Sequence, residues 1–256
     1  MPPKRKRGME DIIQSRIIKF IIDEDEVECN VHEATIANLS EPLRALVTNG
    51  MKESVEGRVV WEDVDMDTFT KLMQYAYEHD FSIIDNDEEP DDGILLSLKE
   101  CVDNSLRSGV FVYEFAEKYF FDKDDSTSKN DEDETNQTVH HSYKHYMSHA
   151  RLYILADRYA IRGLMNLSIQ KIRRMLVNNP VKDELLATIW VLLEFIWPKT
   201  SSRDMLRELL LRYILANLYG AMGSPQAAIV FESTPGISAA LMLLVPQRHW
   251  APISIY

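Results

Sequence analysis

Two apolar segments, Ile17–Ile22 and Val27–Val31, stand on either side of the acidic turn Asp23–Glu26. No other stretch narrows the possible folds as much. Short runs rich in Ile and Val, separated by a few polar residues, read as two antiparallel strands. In the first, Ile18, Phe20 and Ile22 share one face and Ile17 and Ile21 the other. Apolar side chains on both faces predict a strand covered on both sides. In the second, Val27, Cys29 and Val31 alternate with Glu28 and Asn30, so one face is expected to meet solvent.

Helices are expected next. The first runs from about Glu33 to Leu39. Ser40 or Glu41 caps a second, with Pro42 in its first turn, where the missing N–H costs little. Leu43, Leu46 and Val47 form its inner face, and Asn49-Gly50 supplies a left-handed stop. Glu56-Gly57 then turns into a brief strand at Val59–Trp61. Asp65 is suited to cap a third helix, on which Phe69, Leu72, Met73 and Ala76 fall at the spacing of one buried stripe. Strand, strand, helix, helix, strand, helix is thus the order over Arg16–Phe81.

Residues 82–147 break the pattern. They hold 17 acidic and 6 basic residues, a local charge of −11. Asp122–Gln137 has no apolar residue, and a segment that buries nothing cannot offset its ordering entropy, so disorder is expected there. Periodicity returns near Tyr146: Leu152, Leu155, Ala156 and Tyr159 lie on one helical face, and Gly163 marks a junction to a second helix carrying Leu164, Leu167, Ile172 and Met175. A third holds Leu186, Ile189, Trp190 and Leu193 and stops before Pro198. Ser201 and Asp204 form a capping-box variant before Leu206–Ile214, and Thr234-Pro235 opens a last helix. Trp61, Trp190 and Trp197 fall on apolar stripes and are expected in the core.

The chain's 256 residues allow one or two domains with a sizeable core. Cys29 and Cys101 are too few for a disulfide framework or a four-cysteine zinc site, which suits a reducing compartment. The start, MPPKRKRGMEDII, has charge but no apolar stretch of signal-peptide type. The most apolar runs, Leu185–Trp197 and Ile237–Val245, are too short to span a bilayer. The expectation is a soluble intracellular protein without a membrane partner. A net charge of −13 argues against nucleic acid as a partner. Lys4, Arg5, Lys6 and Arg7, by contrast, resemble a candidate nuclear localisation signal, because clustered cations on an extended tail fit an acidic import groove. Nucleus or cytoplasm is the expected location.

Catalytic chemistry finds little footing. His141, His145 and His149 recur every four residues, with His140 adjacent, and two of them could grip zinc or nickel from one helix face. No carboxylate or cysteine at ligand spacing completes a set, so no metal site is expected. His32 has no nucleophile paired with it. Neither GxGxxG nor GxxxxGK[ST] occurs, and Asp131–Glu134 lacks the glycine and closing glutamate of a calcium loop. No enzyme activity, cofactor or small-molecule substrate is expected.

The same residues resemble a family. Val27-Glu28-Cys29-Asn30-Val31-His32, followed by Leu39-Ser40-Glu41-Pro42-Leu43, is similar to the strand-and-helix run that opens BTB/POZ domains, especially fungal ones. Asn49-Gly50-Met51-Lys52-Glu53-Ser54 resembles the family's N-G-x-F-K-E-S, and Phe69–Tyr77 its F-x-x-x-L-x-Y-L-Y. After the acidic stretch, His149–Ile161 is similar to the fungal H-A-x-V-Y-x-L-A-D-K-Y-x-I, and Arg203–Leu210 to a charged helix further along. The resemblance covers 15–81 and 145–218 in order. It implies an α+β fold, a small three-stranded sheet capped by helical hairpins, followed by an all-helical C-terminal extension. It implies a disordered basic tail at 1–14, a BTB/POZ domain at 15–178 interrupted by an acidic insertion at 82–147, and a helical extension at 179–256. It also implies protein partners: self-association into a homodimer or homo-oligomer, scaffolding of other proteins, and, as an alternative, service as a substrate adaptor for a cullin-3 ubiquitin ligase. One departure stands out. Many members carry an aspartate after the serine that opens the first strand, and here Ser15 is followed by Arg16, so the charged pocket that aspartate helps build does not carry over.

Overall fold

Strand β1, Ile17–Ile22, lies in the middle of a three-stranded sheet in the computed structural model, which describes residues 9–50, 52–82, 143–179 and 181–245. β2, Val27–His32, pairs with it antiparallel, from Ile17 opposite His32 to Ile22 opposite Val27. β3, Arg58–Trp61, pairs with it parallel, from Lys19 opposite Arg58 to Ile22 opposite Trp61. Asp23 and Glu26 close the hairpin with positive φ, and the Asp23 carboxylate accepts the Glu24 N–H at 2.8 Å, a local bond that suits aspartate to this conformation.

Ile18, Phe20, Ile21 and Ile22 are buried, as a strand covered on both faces requires. Ile17 departs from the expectation at 48% exposed, because β3 reaches only as far as Lys19 and leaves Ile17 beside β2 alone. The sheet packs on Trp61, Phe69, Leu72, Leu152, Leu155 and Ile161 among others. Phe20 meets Trp61 edge-on at 5.1 Å, and Trp61 stacks on Tyr159 at 5.0 Å. Such pairs add to plain area burial.

The helices of this unit follow from local chemistry. Helix α1, Met9–Ile13, forms within the stretch expected to be disordered. The Ser15 hydroxyl donates to the Ile12 carbonyl at 2.7 Å and accepts the Ala34 N–H at 3.2 Å, which fixes the end of α1 beside the start of α2, Glu33–Leu39. Ser40 caps α3, Glu41–Thr48, by accepting the Leu43 N–H. Gly50 takes the left-handed conformation, and a single turn unforeseen in the sequence, α4, Lys52–Glu56, follows. Asp65 caps α5, Met66–Glu78, by accepting the Thr68 N–H at 2.8 Å. Helices α6, Tyr143–Arg158, and α7, Arg162–Asn178, are joined at Ala160, whose φ of 54° makes the break. Gly163 therefore marks no junction. It lies in the first turn of α7, where the Tyr75 hydroxyl occupies the place a Cβ would take.

By internal contacts the chain forms two compact units, residues 1–84 with 151–168, and residues 85–150 with 169–256. This division falls inside α6 and α7. Described by itself, the second unit is helical: α8, Asp183–Ile196, α9, Met205–Ala216, α10, Leu218–Gly223, α11, Pro225–Ser233, and α12, Pro235–Leu244. Trp190 is fully buried and its indole N–H donates to the Ala221 carbonyl at 2.9 Å. Buried Tyr146 accepts from Asn179 at 2.9 Å, and burial pushes its phenol above the ordinary range. Asp204, not Ser201, caps α9, accepting the Leu206 and Arg207 N–H groups. Trp197 is only half-buried and lies 4.2 Å under the Arg207 guanidinium, which also bonds the Trp197 and Thr200 carbonyls.

Arg16 fixes the entry to β1. Its guanidinium donates to Glu33 at 2.7 Å, to the Ser54 carbonyl at 2.8 Å and to the Val47 carbonyl at 3.0 Å. One side chain thus joins α2, α3 and α4. Arg16→Ala is expected to cost about 2 kcal/mol by denaturant unfolding, the loss of charge-assisted bonds at a part-buried site. Arg16→Asp should cost more than Arg16→Ala, because it sets a carboxylate against Glu33 and two carbonyls; equal midpoints would contradict this role.

Candidate interaction site

Among the described residues β3, Arg58-Val59-Val60-Trp61, has one edge without a strand partner, and Glu62 begins the turn that follows it. Successive side chains of a strand point to opposite faces. Val59 and Trp61 go into the core, and Arg58, Val60 and Glu62 are exposed. The parallel pairing decides the backbone as well. The Lys19 N–H donates to the Gly57 carbonyl and the Asp23 N–H to the Trp61 carbonyl. In such a ladder every second residue of β3 spends its polar groups on β1. Gly57, Val59 and Trp61 do so, and the N–H and C=O of Arg58 and Val60 face away from β1.

A groove of about 430 Å³ follows this edge, lined by α4 residues Lys52, Glu53 and Glu56, by β3, and by Asp63, Arg158 and Tyr159. At its end Arg158 forms a 2.6 Å ion pair with Asp63. That bond holds the Asp63 carboxyl below the usual aspartate range, outweighing the burial that opposes it. It also raises the Arg158 guanidinium. Tyr159 is raised chiefly by burial. The groove presents acids and bases in equal number beside a strand edge that is unpaired among the described residues, an arrangement suited to gripping another polypeptide by main-chain bonds.

The structure separates the histidines considered in the sequence. His32 hydrogen-bonds the Tyr77 hydroxyl at 3.0 Å and so ties β2 to α5. His145 and His149 are buried on α6, where the helix runs through them with Tyr146 and Ala150. His140 and His141 lie outside the described residues. No group of three or more His, Cys, Asp or Glu residues placed to hold a metal occurs among the described residues. Lys4, Arg5, Lys6, Arg7 and Cys101, and the acidic run Asp122–Gln137, also lie outside them. Cys29 is a free, half-buried thiol on β2. No single helix among the described residues is long and apolar enough to cross a membrane.

The sequence reading missed the groove. The pattern Arg58-x-Val60-x-Glu62 was visible, but which edge β3 leaves open depends on its parallel pairing to β1, and Arg158 lies a hundred residues away.

Compared with known families, residues 18–99 match the model of the BTB/POZ domain. The chain carries a BTB/POZ domain. No curated protein matches the sequence. The matched region takes in all three strands and α2 through α5 and continues past Ser82. The BTB/POZ fold is present as expected, a small mixed sheet with helices packed on it and an all-helical region following. BTB/POZ domains are protein-interaction domains and generally not enzymes.

Asp63→Asn should remove the Arg158 ion pair. Because the folded carboxyl is held below its ordinary value of 3.8, the pair's contribution is full above that pH and fades as pH falls below it. Wild type and Asp63→Asn are therefore expected to differ in thermal midpoint at pH 7, and the gap should narrow as pH is lowered below 3.8. A gap independent of pH would show that the pair is not its source.

Proposed function

We propose that this protein is a non-catalytic BTB/POZ interaction module that self-associates or scaffolds other proteins. The observation that carries this reading is the BTB/POZ match over residues 18–99. The β3 edge, unpaired among the described residues, and its groove supply a surface through which such association can occur. Affinity purification with mass spectrometry is the direct test. Reproducible recovery of a defined protein set supports the reading, and recovery of nothing beyond background from cells expressing the protein at native level counts against it.

Self-association has its own check. Light scattering after size exclusion is expected to return a mass above that of one chain at micromolar protein, and a strict monomer at all concentrations would remove the homo-oligomer. The alternative of a cullin-3 adaptor follows from the family resemblance. A pull-down that stays empty at micromolar cullin-3 would remove it.

The nuclear reading rests on Lys4-Arg5-Lys6-Arg7. Residues 1–14 fused to a reporter should concentrate it in the nucleus, and replacing the four basic residues by alanine should abolish this, because import recognition needs the clustered charge. Cytoplasmic retention of the intact fusion would sink the idea.

A further inference from the structure

We infer that two copies of this chain join edge to edge through β3, antiparallel and centred on Val60. This names the surface for the self-association proposed above and rests on that reading. The exposed side chains along the edge and the first residue after it read Arg58, Val60, Glu62, and the pattern is its own complement when reversed. With Val60 opposite Val60 of a second copy, Arg58 of each copy falls opposite Glu62 of the other. One apolar pair and two oppositely charged pairs then line a single face, and directly opposite residues are the ones that interact in an antiparallel pair. A shift by one residue would put buried-face side chains opposite exposed ones and lose all three pairs.

The backbone fits the same register. Arg58 and Val60 turn their N–H and C=O groups away from β1, as the bonds of Lys19 to Gly57 and of Asp23 to Trp61 require. A hydrogen-bonded antiparallel pair at Val60 exchanges both of its bonds between the two copies. Val60 is 47% exposed on this edge, and Gly57, with φ of 66°, starts the strand cleanly beside it. The sheet of each copy would continue into the other, β2-β1-β3 followed by β3-β1-β2. The opposite edge of the sheet offers less. β2 follows the acidic turn Asp23–Glu26 and carries Glu28 already paired with Lys19 at 2.7 Å, charges of the kind that keep an edge from pairing.

The test is a charge-swap series on the full chain, read as the dimer dissociation constant by sedimentation equilibrium. Arg58→Glu and Glu62→Arg each set like charges opposite one another twice, and each is expected to weaken the dimer about tenfold. The double variant Arg58→Glu/Glu62→Arg restores both pairs and should return to the wild-type constant. So should a mixture of the two single variants. Circular dichroism confirms that each variant is folded. Val60→Cys adds a second readout. Opposed residues of a hydrogen-bonded pair lie about 5.5 Å apart between Cα atoms, within disulfide range, so mild oxidation should give a covalent dimer that wild type, with its own Cys29 and Cys101, does not.

A dimer whose constant is unchanged by either single swap, with no Val60→Cys cross-link, would overturn this surface while leaving self-association standing. A wild-type chain that stays monomeric throughout would overturn both. Failure of the double swap and of the mixture to restore what the single swaps lose would show that the charges act on something other than each other.

Discussion

β1 is hydrogen-bonded along both edges and packed on both faces, and the rest of the domain is arranged to permit that. From Lys19 to Ile22 the strand lies between two neighbours, and its buried polar groups must be met by them. β2 meets one edge directly through the hairpin. The other edge has to wait for β3, which arrives only after three helices have crossed from one end of the sheet to the other. Parallel pairing demands such a crossover, and α2, α3 and α4 supply it in the space between His32 and Gly57. Phe20, Ile22, Trp61 and Phe69 then close over the result as one aromatic and aliphatic cluster.

This arrangement decides which main-chain groups of the sheet stay unbonded among the described residues. Among the described residues, the outer edges of the sheet are those of β2 and β3. The two edges are not equivalent. β2 grows out of an acidic turn and spends Glu28 on Lys19. β3 is short, carries one charge of each sign around Val60, and borders a groove closed at one end by the Asp63–Arg158 pair. Association at a strand edge relies on bonds that every sequence can make, with specificity left to the side chains that alternate along it. Short length and mixed charge keep the β3 edge from being a general aggregation site while leaving it open to a matching strand.

The elements that sequence could reveal are those controlled by neighbours within a few residues. The hairpin came from alternation at Ile17–Ile22 and Val27–Val31. The start of α3 came from Ser40 with Pro42, and that of α5 from Asp65. Elements controlled from afar were not legible in this way. The exposure of Ile17 depends on where β3 stops. The helix α1 depends on the Ser15 hydroxyl reaching Ala34. Gly163 looks like a helix break but is instead the small residue that admits Tyr75. Asp204 outcompetes Ser201 as a cap because its carboxylate reaches two backbone N–H groups at once, and local spacing does not rank the two. The groove was hidden for the same reason, since Arg158 and Tyr159 are brought to β3 by tertiary packing alone.

Arg16 shows how one side chain can frame the entry to a strand. The position lies at the mouth of β1, where the chain passes the C-terminal turns of α3 and α4. The carbonyls of Val47 and Ser54 point there, and helix C-termini favour a cation over an anion. A guanidinium can satisfy both carbonyls and Glu33 together, because its donors are fixed in a planar fork. An aspartate at this position would face two carbonyls and a carboxylate with no donor to offer. It would be driven outward, toward solvent or a partner. The arginine turns inward and becomes part of the frame. In this chain the start of β1 therefore serves as a structural clamp that ties α2, α3 and α4 together.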